Sequence, residues 1–116
     1  MATIEELTSR ESVEALLAGD SPVLLFKHST RCGMSAAAAR RIEAFLIAEP
    51  ELPVVWARIP VVEERALSVW LAEHLSVRHQ SPQLILLIDG RAVWDASHHG
   101  INADEIIAAL GQHGII

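Results

Sequence analysis

Apolar residues along the chain fall into short blocks with two rhythms. Val23-Leu24-Leu25-Phe26 is an unbroken apolar run, the pattern of a strand covered on both faces. Pro53 to Ile59 and Leu84 to Ile88 repeat it. Between them the spacing becomes helical. Val13, Leu16 and Leu17 share one face after Thr8 and Glu11, which form a capping-box signature, and Gly19 is placed to stop that helix. Ala38, Ala39, Ile42, Phe45 and Leu46 predict a second helix over Ser35–Ala48, with Pro50 just beyond. A third is expected from about Val62 to Leu75, with Ala66, Leu67, Trp70, Leu71 and His74 facing inward.

The last third changes order. Asp89-Gly90 separates Leu84–Ile88 from Arg91–Asp95, a strong hairpin signal because both turn residues must take positive φ. Asn102 with Glu105 caps a final helix through Leu110. Ala2 to Leu7 fits either a short edge strand or a lead-in. The expected order is βαβαβαββα, with or without the first strand. Helix-separated strands followed by a hairpin give a mixed sheet with helices on both faces. With a cysteine at the start of the second helix, this is a thioredoxin-like arrangement: three α/β/α layers around a central mixed sheet of four to five strands. Residues 1–116 read as one such domain, without linker or repeat. Ser81-Pro82, directly before the hairpin's first strand, stands where such folds place a cis-proline loop facing the cysteine.

Composition narrows the class. The apolar share is 51%, yet no run approaches the roughly 18 to 20 residues of a membrane span. Met1–Arg10 carries Glu5 and Glu6 and does not read as a secretory signal. One cysteine makes no internal disulfide, so a cytoplasmic protein is expected. The net charge of −6 argues against nucleic acid as a partner. Ser21 to Ile42 nonetheless contains no acid, while Lys27, Arg31, Arg40 and Arg41 fall within it. Arg40 and Arg41 read as solvated helix surface. Lys27 and Arg31 are near enough in sequence to Cys32 to favour a thiolate and to attract an anionic substrate.

Candidate chemistry centres on Cys32. A cysteine at a helix N-terminus meets unpaired N–H groups that favour its thiolate, the reactive form. Ser35 is placed to add a hydroxyl donor, and Gly33 leaves the approach to sulfur open. The alternative is an unreactive core cysteine, but the flanks Ser29-Thr30-Arg31 and Gly33-Met34-Ser35 are small and polar. A serine at 35 cannot carry out thiol–disulfide exchange, so an adduct on Cys32 must wait for an external thiol. His28, ending the strand before Cys32, either tunes the thiolate as a cation or bonds to backbone. Six histidines show no metal-ligand spacing, so no metal site is expected. Trp56, Trp70 and Trp94 fit packing positions.

Phe26 through Ser35, then Ser81-Pro82-Gln83, then Trp94 and Ser97-His98, resemble the monothiol bacilliredoxin (YtxJ-like) family over nearly the whole chain. The resemblance implies a thioredoxin-like fold and removal of bacillithiol from S-bacillithiolated proteins. It makes Cys32 the nucleophile, Ser35 the replacement for a resolving cysteine and Pro82 the cis-proline. Lys27, His28, Arg31, Gly33, Ser81 and His98 complete the expected substrate-binding set, and Ser97 and Asn102 are further candidates for holding the small thiol. Asn102 as a plain helix cap is the competing assignment. The implied partners are S-thiolated clients, a small thiol as cosubstrate without a tightly bound cofactor, and a thiol–disulfide reductase. Gly33-Met34 departs from the Pro-Ile usual in that family. Cys-Gly-x-Ser is also similar to monothiol glutaredoxins that use glutathione or hold an iron–sulfur cluster, although their Thr-Val-Pro loop and Gly-Gly pair are missing. A non-catalytic thioredoxin-like stress or adaptor module is the alternative from another class.

Overall fold

A computed structural model describes residues 3–116. It comprises β1 (Ile4–Glu6), α1 (Arg10–Leu17), β2 (Val23–His28), α2 (Gly33–Ala48), β3 (Val55–Pro60), α3 (Arg65–Leu75), β4 (Gln83–Ile88), β5 (Arg91–Ser97), a 3-10 turn (His98–Gly100) and α4 (Ala103–Gln112). The expected element order is present, including the edge strand; Ala2 lies outside the described residues. The five strands lie in the order β1-β3-β2-β4-β5. β1, β3 and β2 run parallel, while β4 and β5 are antiparallel to their neighbours.

Strand alternation divides the core by face. Leu24, Phe26, Trp56, Leu84 and Leu86 pack with Ala38, Ile42 and Phe45 of α2 and with Ile106, Ala109 and Leu110 of α4. Val23, Leu25, Ala57, Ile59, Ile85 and Leu87 pack with Val13 of α1 and with Leu67 and Leu71 of α3. Both faces of β2 and β4 are covered, which is why these strands read as continuous apolar runs. Trp56 is buried and tilted against Phe45, ring centroids 6.0 Å apart.

Local chemistry sets the ends. Asp89 and Gly90 take φ of 53° and 75°, the paired positive values required by a tight hairpin turn. Ser9, not Thr8, caps α1. Its hydroxyl accepts from Ser12 N (3.1 Å), and Ser12, not Glu11, completes the capping box. Gly19 is not a left-handed stop; Ala18 ends α1 in a right-handed conformation. The inward face of α3 is turned relative to the expected one: Leu67, Ser68 and Leu71 are buried, while Ala66 and His74 are exposed. His74 instead stacks on Trp70 (5.0 Å), whose ring lies 4.4 Å from the Arg10 guanidinium. This flank of α3 packs against the start of α1, away from the sheet.

Candidate active site at the N-terminus of α2

The parallel strands end at one edge of the sheet, and β4 begins there. Lys27 pairs with Gln83 across β2 and β4, so the loop leaving β2 toward Cys32 and the loop ending at Pro82 meet at that edge. The Ser81–Pro82 peptide bond is cis. Pro82 O accepts from His98 N at 3.3 Å, which brings the turn after β5 to the same place.

Cys32 is the N-cap residue of α2, with extended backbone (φ −117°, ψ 124°). Gly33, Met34 and Ser35 are therefore the first, second and third helical positions. A Ser or Asp cap would accept from the N–H groups of the second or third. Here sulfur takes that place. It makes no formed cap hydrogen bond, yet the Ser35 amide, then the Met34 amide, hold the thiol below its ordinary range. Desolvation opposes them, and the Ser35 hydroxyl adds a smaller lowering effect. The positive field of Lys27 and Arg31 expected from the sequence is not among the causes. Helix geometry sets the thiol.

Ser35 is buried, 1% exposed. Its hydroxyl oxygen accepts from Ser29 N (3.1 Å), leaving its proton free to face sulfur and tying the loop to the helix. Cys32 N donates to Ser29 O (3.5 Å), and Arg31 N donates to Ser29 Oγ (3.2 Å). The guanidinium of Arg31 belongs to an exposed residue. A Cβ built on Gly33 meets nothing within 4 Å, so the approach to sulfur is open. Met34 beside it is 45% exposed.

Other expected site residues are placed differently. The Lys27 ammonium is fully buried, on the face that carries α1 and α3, and has no hydrogen-bond partner among the described residues. It presents no surface to an incoming client. Burial lowers its pKa from 10.5 to about 8, and Asp95 pulls the other way. His28 stacks on Phe26 (5.5 Å), with Nε2 4.0 Å from a Glu6 oxygen. Burial first, then Arg58, lowers its pKa, so near neutral pH it is not the cation that was one reading of its place before Cys32. Ser81 Oγ is buried without a partner among the described residues. Asn102 is a helix cap: its Oδ1 accepts from Glu105 N (3.0 Å), and its Nδ2 donates to His99 O (2.9 Å). Ser97 pairs with Gln83 in the sheet. His98, half-buried with φ of 54°, joins the Pro82 loop through its backbone.

Two supports were not anticipated. Arg41, expected on the solvated face of α2, donates from Nε to Ile101 O (2.6 Å) and from Nη2 to His98 O (2.8 Å), pinning the turn after β5 to α2. Gln83, fully buried, donates from Nε2 to Arg78 O and to Asp95 Oδ2 (both 3.1 Å), while its Oε1 accepts from Gln80 N (3.3 Å). The segment before Pro82 is thus tied to the sheet by one side chain. The only available signal was a polar residue opening an apolar strand.

The family model for monothiol bacilliredoxin BrxC matches residues 5–106. The chain belongs to the monothiol bacilliredoxin family. Among solved structures, this bacilliredoxin-family chain is 29% identical to an inferred oxidoreductase with a thioredoxin fold, covering 91% of this chain and 92% of that one at a TM-score of 0.82. The thioredoxin from Malassezia sympodialis is 17% identical over 97% and 92% (TM-score 0.76), and that from Trypanosoma brucei brucei 13% over 97% and 91% (0.76). These two establish the fold alone: the thioredoxin fold, as the sequence order implies. Family and fold together support a thiol redox function for this bacilliredoxin-family member. Among the described residues, no helix is long and apolar enough to cross a membrane.

Proposed function

We propose that the protein is a monothiol thiol–disulfide oxidoreductase that removes a low-molecular-weight thiol, such as bacillithiol, from protein mixed disulfides. One observation carries this reading: the lone cysteine is the N-cap of α2, its thiol held below the ordinary range, and a buried serine occupies the place of a resolving thiol. The Cys32 thiolate attacks the small-thiol sulfur. The client–sulfur bond breaks, the client departs as a thiolate and takes a proton from water, and Cys32 holds the small thiol as a mixed disulfide. A second small thiol, as its thiolate, then attacks that sulfur and leaves as the symmetrical disulfide, regenerating the Cys32 thiolate. A thiol–disulfide reductase is an alternative second partner. Such chemistry suits a reducing, cytoplasmic setting. Bacillithiol as cosubstrate rests on the family resemblance, and Gly33-Met34 in place of Pro-Ile makes the thiol worth testing directly. Turnover of one client, bacillithiolated or glutathionylated, in the presence of the matching free thiol tests it. Faster turnover of the bacillithiolated client supports the reading; turnover of neither overturns it.

A further inference from the structure

A cleft of about 560 Å³ runs along α3, beside the edge of the sheet that carries Cys32. Its walls are Val61 and Val62, five residues of α3 (Arg65, Ser68, Val69, Ala72 and Glu73), and His79. Both ends of this wall are continuous with the loops that frame Cys32. Val61 N donates to His28 O at 2.8 Å, four residues before the cysteine, and His79 is three residues before cis-Pro82.

The polar groups here are unusual for a surface cleft. Ser68 is 1% exposed, and its hydroxyl, on the cleft wall, has no partner among the described residues. A buried hydroxyl without a partner is costly and uncommon. Arg65 is the first residue of α3, where a cation adds to the positive end of the helix dipole instead of offsetting it. Lys27, fully buried and also unpartnered, is close enough for its charge to act on His79. Glu73 in the cleft and Asp95 near Lys27 supply the opposing charge. The Arg65 guanidinium, a hydroxyl donor and an imidazole thus line the cleft beside apolar Val61, Val62, Val69 and Ala72, with the buried Lys27 near enough to act on it by charge. An inorganic anion has no use for the apolar wall. A small organic acid uses both, with the Arg65 fork matching a carboxylate.

We propose that this cleft seats a carboxylate of the small thiol carried on the mixed disulfide, with Arg65 and Ser68 as direct ligands and Lys27 supplying charge from beneath. The assignment rests on the oxidoreductase reading above. It explains how an enzyme serving varied clients recognises their shared half. A model protein carrying bacillithiol or glutathione (carboxylate thiols) or 2-mercaptoethanol (neutral) tests it through the ratio of kcat/KM for carboxylate over neutral adducts. Arg65→Gln should lower that ratio about tenfold, equivalent to about 1.4 kcal/mol. Glu73→Gln should raise it, an effect that loss of stability does not mimic. An unchanged ratio in both variants overturns the subsite while leaving the oxidoreductase intact. If the wild-type protein transfers no adduct, the oxidoreductase reading falls. Titration with glutathione disulfide then judges the cleft alone: amide shifts at Arg65, Ser68 and His79 that vanish in Arg65→Gln uphold it, and their absence rejects it.

Discussion

Replacing Lys27 with methionine should make the protein more stable at neutral pH. The ammonium is fully buried without a hydrogen-bond partner among the described residues, and burial brings its pKa from 10.5 to about 8 despite Asp95. At about 1.4 kcal/mol per pH unit, that difference is a cost of about 3 kcal/mol for keeping the charge in the folded protein. Repacking around methionine forfeits part of this, so the expected gain for Lys27→Met is smaller, about 1–2 kcal/mol. Methionine keeps the unbranched shape without the charge. The sign with pH follows from proton counting. Between pH about 8 and 10.5 the unfolded chain keeps a proton that folded Lys27 has lost, so wild-type stability rises with pH across that window. The advantage of the variant is therefore full below pH 8 and vanishes toward 10.5. Urea denaturation of both proteins, at neutral pH and again near the ordinary lysine pKa, reads this difference. A variant less stable at neutral pH, or a difference independent of pH, would show that the buried Lys27 charge carries no such cost. The same substitution should lower the preference for carboxylate-bearing adducts, an exchange of stability for recognition.

Three further outcomes follow from the site. Alkylation of Cys32 should persist at pH values where an ordinary thiol is silent, and Ser35→Ala should move the midpoint upward, since a donor to the thiolate is lost; iodoacetamide rates against pH measure both. Gly33→Pro should preserve the fold and add about 0.5–1 kcal/mol, because the first helical turn accepts proline and the unfolded chain loses freedom. Gly33 has open space around its Cβ position, and its amide is not among those that lower the Cys32 pKa; thermal unfolding decides the matter. Arg41→Met removes two hydrogen bonds from a charged donor and should cost about 2 kcal/mol, with faster amide exchange at His98 and Ile101.

Much of the architecture was legible because it rests on local rules. Val23–Phe26 and Leu84–Ile88 are covered on both faces and say so in composition, and Asp89-Gly90 permits the required positive φ values. Cys32 was legible as lying near a helix N-terminus, but α2 begins at Gly33, two residues before the expected Ser35, and that earlier start makes Cys32 itself the cap. What stayed hidden depends on tertiary placement. Thr8 and Ser9 are adjacent cap-formers, and only the turn into α1 selects Ser9. Periodicity put His74 inward and left Ser68 out; packing against the sheet reversed them. Lys27 and Gln83 are polar residues at strand positions facing the α1 and α3 side, and nothing local announces that both are fully buried. Arg41 looked like its neighbour Arg40 until the turn after β5 arrived beside it.

In the proposed reaction Cys32 takes the small thiol, not the client, and takes it alone. Intact-mass analysis of the protein after brief incubation with an S-bacillithiolated client, quenched by acid, tests this most directly. One bacillithiol mass should be added at Cys32, with an equal amount of free client and no adduct in Cys32→Ser. Client protein disulfide-bonded to Cys32 as the main product, or an unmodified Cys32 beside a fully thiolated client, would contradict it.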